Sequence, residues 1–361
     1  PAVVESPDGR AAAAFFDRTH RQLKYAVRRS EGWEVSVVER DVTYRQRTGD
    51  PGNHGDVQLA FDSQGWPHLV YEPTNRRLRY ATRRDDGWRV RPIDGNDRRP
   101  DEVAIDVDVD DRVHIVHGSR QSNRLEYARF DGDRWTREEL SIGSSNKVLA
   151  VEPSGTPHLI HTEVDDGRRL GYAVRKNGGW QRRSLPTRGY ANIRVGDVQI
   201  DAELHLHVVW HGRPEGAGES SVFYATNASG EWQRERVVTV NAAKAVSVGR
   251  TVDGRPQVVF AGNPRSGAEW QVGYAVRTEG TWEITRPVEE IPDTYRNTGR
   301  LQRYRIRDRS DLAQDGTTGD LVRGSPLRQL QLGEPYRRRM ACRDARPPDA
   351  DHRPPRPCAA G

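Results

Sequence analysis

The chain has 361 residues, 34% hydrophobic and 30% charged, with a mean hydropathy of −0.88 and a formal net charge of +5. It is long enough for two average domains or one large β architecture, and no run of 18 apolar residues could cross a membrane. Residues 300–361 hold 14 Arg against 8 Asp and Glu, a net of +6 that leaves residues 1–299 near −1, which removes most of the support for a nucleic-acid partner.

Only four of the basic residues are Lys, an Arg bias that fits a GC-rich gene. Cys342, Cys358 and the single Met340 also lie in the last stretch. Residues 1–299 therefore hold no disulfide and no thiolate metal site, which is compatible with export. There is no signal peptide, and a start at Pro1 reads as a processed or truncated product.

Taken in chain order, six segments repeat one plan. The first, about 1–40, carries a degenerate DGRAAAAFFD (8–17) and then LKYAVRRSEGW (23–33). The second, 41–95, opens with the alternating run DVQLAFD (56–62) and continues through SQGWPHLVYEP (63–73) to LRYATRRDDGW (78–88). The third, 96–142, carries DDRVHIVHGS (110–119) and LEYARFDGDRW (125–135). The fourth, 143–187, carries SGTPHLIHTE (154–163) and LGYAVRKNGGW (170–180). The fifth, 188–239, carries AELHLHVVWHG (202–212) and VFYATNASGEW (222–232). The sixth, 240–290, carries DGRPQVVFAG (253–262) and VGYAVRTEGTW (272–282).

Every segment has a Tyr-Ala pair with a Trp eight residues after the Tyr. Each unit reads as strand A, tight turn, strand B, variable loop, strand C, Gly-containing turn and strand D. No stretch holds a helical period. About 50 residues per four-stranded unit predicts an all-β fold, a β-propeller with six in-frame blades over residues 1–299. A blade cannot bury both faces alone, so Tyr of strand C and Trp opening strand D are expected as plates between blades.

After Arg300 the plan stops, and residues 300–361 read as an irregular, disordered tail rich in Arg and Pro. A second pattern is hidden there. Read one base later, Met340-Ala341 must encode Trp, and Leu332-Gly333 does so if Leu is CTG. The two sites are eight residues apart, the offset of the six blades. The tail thus reads as a frame-shifted seventh blade, the parent gene as seven-bladed, and the tail as written carries no function.

In a propeller, strand B ends at the face formed by the B–C and D–A loops, where ligands bind. The strand-B ends are Phe16, Tyr71, His117, His161, Trp210 with His211, and Phe260. Adjoining loops add Glu72, Arg120, Glu163, Asp165 and Arg213, and the long loops 211–221 and 261–271 form a rim. The expected ligand-binding set is Tyr71, Glu72, His117, Arg120, His161, Glu163, Trp210, His211 and Arg213, with His117, His161, Tyr71 and Arg213 as the catalytic candidates. His68, His114, His158 and His207 recur at one strand-B position and are expected to be structural. No cofactor is expected, and no metal, although His117, His161 and His211 could approach one another.

The PH-h-h-Y…LKYA…GW units (h, hydrophobic) resemble bacterial propellers of the sialidase-like, BNR-repeat kind, over residues 1–290. That resemblance implies a sialidase blade plan with an Arg cluster, a Tyr nucleophile and an acidic partner. The sialidase Asp box, S-x-D-x-G-x-x-W, falls at the turn of RRSEGWEV (28–35) and RRDDGWRV (83–90), where only its acidic, Gly and Trp elements stand. Three functions follow as expectations. One is a secreted, lectin-like propeller binding extracellular glycan at a central funnel. Another is a polysaccharide lyase or glycoside hydrolase on acidic glycans, using Tyr71, His117, His161 and Arg213. The third is a protein-interaction scaffold.

Overall fold

A computed structural model describes residues 2–42, 57–73, 77–93, 100–119, 124–143, 146–163, 169–187, 189–263, 270–288 and 304–305. The chain divides into a unit over Pro1–Gln314 and another over Asp315–Gly361, and every described residue lies in the first. Apart from Tyr304–Arg305, the expected tail and shifted blade lie outside the described residues.

The described residues form six antiparallel sheets and no helix. Blade 1 is β1 (Ala2–Glu5), β2 (Ala11–Asp17), β3 (Gln22–Arg29) and β4 (Gly32–Glu39). Blade 2 is β5 (Val57–Phe61), β6 (Pro67–Tyr71), β7 (Arg79–Arg84) and β8 (Gly87–Pro92). Blade 3 is β9 (Pro100–Val107), β10 (Val113–Ser119), β11 (Arg124–Phe130) and β12 (Trp135–Gly143). Blade 4 is β13 (Lys147–Val151), β14 (Pro157–Thr162), β15 (Leu170–Lys176) and β16 (Gly179–Ser184). Blade 5 is β17 (Tyr190–Ile200), β18 (Leu206–Pro214), β19 (Ser220–Thr226) and β20 (Gln233–Val240). Blade 6 is β21 (Ala242–Arg250), β22 (Pro256–Asn263), β23 (Gln271–Thr278) and β24 (Thr281–Val288). Within each sheet the strands lie in chain order, so each blade is a simple meander, and the six make a β-propeller. A two-residue strand, β25 (Tyr304–Arg305), runs parallel to β1.

The register is the same in every blade. The strand-C Tyr stands opposite Ala14, Val70, Val116, Ile160, Val209 and Val259 in turn. The C–D turns are closed by glycines in the left-handed region, such as Gly132 (φ 100°) and Gly280 (φ 82°), where a side chain would be strained.

The core is five separate layers, each shared by two consecutive blades. At each layer the Tyr of one blade meets the Trp of the next edge-on: Tyr25–Trp88, Tyr80–Trp135, Tyr127–Trp180, Tyr172–Trp232 and Tyr224–Trp282, with centroids 5.3–5.9 Å apart. Edge-to-face pairs in this range add to the burial of the rings themselves. Ion pairs tie the outer strands across the same layers, as Arg175–Glu138 (3.0 Å) and Arg277–Glu235 (2.8 Å) do.

Candidate functional site

The recurring strand-B histidines are structural, as their repetition predicts. In blades 2–5 the imidazole lies between a strand-C Tyr hydroxyl and an acid that ends strand A: Asp62–His68–Tyr80, Asp108–His114–Tyr127, Glu152–His158–Tyr172 and Asp201–His207–Tyr224. One proton arrangement of a neutral ring satisfies each chain: Nε2–H donates to the carboxylate and Nδ1 accepts from the Tyr O–H. Burial holds His114, His158 and His207 below the usual imidazole pKa despite the acid beside them. Burial alone would raise Asp62, but hydrogen bonds from His68, Arg84 and the Trp66 N–H bring it down to about 2. In blade 6 Gln257 takes the His place, accepting from the Tyr274 hydroxyl at 2.7 Å.

The strand-B ends form an equivalent set, each opposite one strand-C residue: Phe16–Leu23, Tyr71–Arg79, His117–Glu126, His161–Gly171, Trp210–Phe223 and Phe260–Gly273. They do not open on a funnel. Tyr71 and Trp210 are 0% exposed, His117 3% and His161 7%. Tyr71 packs in the layer of blades 1 and 2, meets Phe16 edge-on, and donates its hydroxyl to Glu39. Burial raises its pKa well above the usual phenol range, so it is not a ready base. His117 lies 3.3 Å from Glu126, whose pKa the contact lowers. His161 covers Gly171, where a Cβ would sit 2.3 Å from Nε2. Burial holds His161 near pKa 4, and Lys147, itself 1% exposed and opposite it in register, acts in the same direction. Trp210 stacks on Phe223 (5.5 Å), and its indole N–H has no partner among the described residues.

The Phe260–Gly273 pair shows how tightly this position is filled, because a Cβ on Gly273 would lie 2.1 Å from the ring. Gly273→Ala is expected to lower stability by about 1–3 kcal/mol through overpacking, read as a fall in the thermal midpoint. Gly178→Ala, at an open turn with nothing within 4 Å, serves as the strained but uncrowded control.

Among the described residues, one group of accessible polar side chains stands on blades 5 and 6. Here the strands run past the others at the end where A begins and B finishes. β17 spans 11 residues where β5 and β13 span 5, with bulges at Ala191/Arg194 and Val195/Asp197, and β21 has one at Ala243/Ala245. Bulges re-aim side chains and are common beside binding sites. His211 is half-buried and pairs in register with the exposed Arg194, and the exposed Arg213 follows on the same strand face. Burial first, and Arg194 second, depress His211 to about 4, so it stands neutral at pH 7. On blade 6 the Lys244 ammonium lies 4.4 Å from the centroid of the half-exposed Trp270 ring. On blade 5 Arg234 lies 5.2 Å over Tyr190.

The expected set is thus divided. His211 and Arg213 come together, while Tyr71, His117, His161 and Trp210 sit in layers on different blades. Glu163 accepts from Ser184 (3.1 Å), Glu72 is half-exposed at the end of β6, and Arg120 and Asp165 lie outside the described residues. Arg194, Lys244 and Trp270 were not in the expected set, and the length of the run 190–200 was the available signal for the first. Among the described residues, Asp201, Glu203 and His205 could approach a cation, but Asp201 already accepts from His205, His207 and Arg250.

No family model and no curated protein matches the chain. Solved structures do match in fold. AofleA from Arthrobotrys oligospora aligns with a TM-score of 0.54 at 14% identity, over 79% of this chain and 85% of that one. The chain shares a β-propeller fold with it. A fucose-specific lectin from Aleuria aurantia gives 0.52 at 12% identity over 83% and 95%. A polysaccharide lyase, a PL25 ulvan lyase bound to -[GlcA(1-4)Rha3S]-, gives 0.54 at 11% identity over 79% and 81%.

Proposed function

We propose that this propeller binds extracellular carbohydrate, of an acidic kind, at the rim of blades 5 and 6, and that it is an exported protein. The observation that carries this reading is the half-exposed Trp270 with the Lys244 ammonium against its ring, at the end of the blades that also bears Arg194, His211 and Arg213. An indole face stacks on a sugar ring, cations meet a carboxylate or sulfate, and a neutral imidazole bonds hydroxyls. Similar propellers include a fucose-specific lectin and a lyase crystallised with a glucuronate–sulfated rhamnose chain, which supports a saccharide as ligand. Binding is favoured over turnover because the expected base candidates Tyr71, His117 and His161 are under a tenth exposed.

A glycan array with neutral, uronic and sulfated saccharides is the test. The expected result is retention of acidic members, weakening as salt screens the cations. Trp270→Ala is expected to lower affinity about 5- to 10-fold, the worth of one aromatic contact. The double variant Lys244→Ala/Arg213→Ala is expected to flatten the salt dependence. Equal retention by the parent and both variants would place the ligand elsewhere, and depolymerisation of the polysaccharide would restore the lyase reading.

A further inference from the structure

We propose that blades 1 and 6 form the two walls of a slot for a seventh blade, encoded by the nucleotides of residues 301–361 read one base later. The argument begins with the layers. Six blades in a closed ring have six junctions, yet the described residues form five core layers, and none joins blade 6 to blade 1. Five of the six strand-C tyrosines meet the Trp of the following blade. Tyr274 of blade 6 and Trp33 of blade 1 are the two plates left, and neither has an aromatic partner among the described residues.

Burial marks the same two faces. The aliphatic residue opposite the Tyr is fully buried at Val70, Val116, Ile160 and Val209, but Val259 of blade 6 is only half-buried. On the other face of strand B, Leu69, Ile115, Leu159, Val208 and Val258 are all 0% exposed, whereas Ala13 of blade 1 is half-exposed. Apolar positions that are dry at five junctions are wet at the sixth.

The faces also specify what fits between them. Arg83, Arg175 and Arg277, three residues after their Tyr, each pair with an acid on strand D of the preceding blade. The matching Arg28 of blade 1 and the strand-D acid Glu283 of blade 6 form no such pair among the described residues. The occupant must therefore offer a Trp to Tyr274, a flat strand-C aromatic to Trp33 and an Arg to Glu283. The shifted frame supplies the first from Met340-Ala341 and, if Leu332 is CTG, the second from Leu332-Gly333, at the right spacing. It supplies the third as well if Pro335 is CCG, since the shifted codon into Tyr336 is then CGT, arginine, three residues after the first Trp. The backbone marks the place too. β25 runs parallel to β1, the direction innermost strands share, and it touches both β1 and β21.

The gene should be resequenced from independently prepared DNA, and the written chain compared with one in which a single base near codon 300 restores the shifted frame. The expected sequence stays open through the second Trp and ends strand D. The restored chain is expected to melt several degrees higher. Trp33, read as the difference between each chain and its Trp33→Phe variant, is expected to be quenched several-fold less by acrylamide in the restored chain. A stop codon soon after the shift would overturn the proposal. So would equal shielding of Trp33 in both chains as monomers, since six blades would then close directly. Dimerisation of the written chain that shields Trp33 would make a second copy the occupant and would also overturn it.

Discussion

Tyr80→Ala is expected to lower stability by about 3–5 kcal/mol, the cost of deleting a large buried aromatic, with a fall in thermal midpoint on the order of 10 °C. Tyr80 is 1% exposed, meets Trp135 and Phe130 of the next blade, and bonds His68 at 2.5 Å. Truncation would open a cavity between two blades and leave the His68–Asp62 pair without its third member. Tyr80→Phe separates the two contributions. It keeps the plate and loses only the hydroxyl, so about 1–3 kcal/mol is expected for the stranded imidazole nitrogen. Tyr274→Ala supplies the contrast, because Tyr274 is half-exposed, meets no Trp among the described residues and bonds Gln257 rather than His. Its cost is expected to be well under half that of Tyr80→Ala. Calorimetric melts of the three variants check this, and equal losses at the two tyrosines would show that the edge-to-face contact adds little.

The fold was legible because a propeller repeats its packing problem. Tyr and Trp recur at a fixed offset since the same two plates must meet at every layer. The repeated histidines were legible as structural for the same reason. Their acid partners were missed, although the signal was present: Asp62, Asp108, Glu152 and Asp201 each stand six residues before their His. The burial of the candidate site residues was less legible. Alternation separates a wet face from a dry one only when one face of a sheet meets water. Strand B of an inner blade is buried on both faces, as the unbroken burial of β6, β10 and β14 shows. Tyr71, His117 and His161 therefore pointed into a layer whichever way the register fell. His211 and Arg213 escaped only because β18 runs on past the layer, and the bulges of β17 beside it leave no motif in the sequence.

Acidification is expected to unfold the propeller in two stages. In an unfolded chain histidine titrates near 6.5. In the fold His114, His158 and His207 titrate lower, and His161 and His211 near 4. Between those values the unfolded chain binds more protons, so stability is full above pH 6.5 and is lost as the pH falls toward 4. For His161 the displacement corresponds to about 3 kcal/mol once the pH is below 4. A second loss follows from carboxylates held low. Asp62, near 2, and Asp108 and Asp201, also lowered, contribute stability that is present above 3.8 and is lost as they protonate below it. Melting midpoints between pH 8 and 3 should fall first across the histidine window and then more steeply below pH 4. His161→Phe isolates one histidine, since blade 6 already places Phe260 over Gly273 at the equivalent pair. This variant is expected to fold, to match the parent within about 1 kcal/mol near neutrality, and to lose one proton from the slope between pH 6.5 and 4. An unchanged slope would mean that His161 is not held neutral by its burial over Gly171.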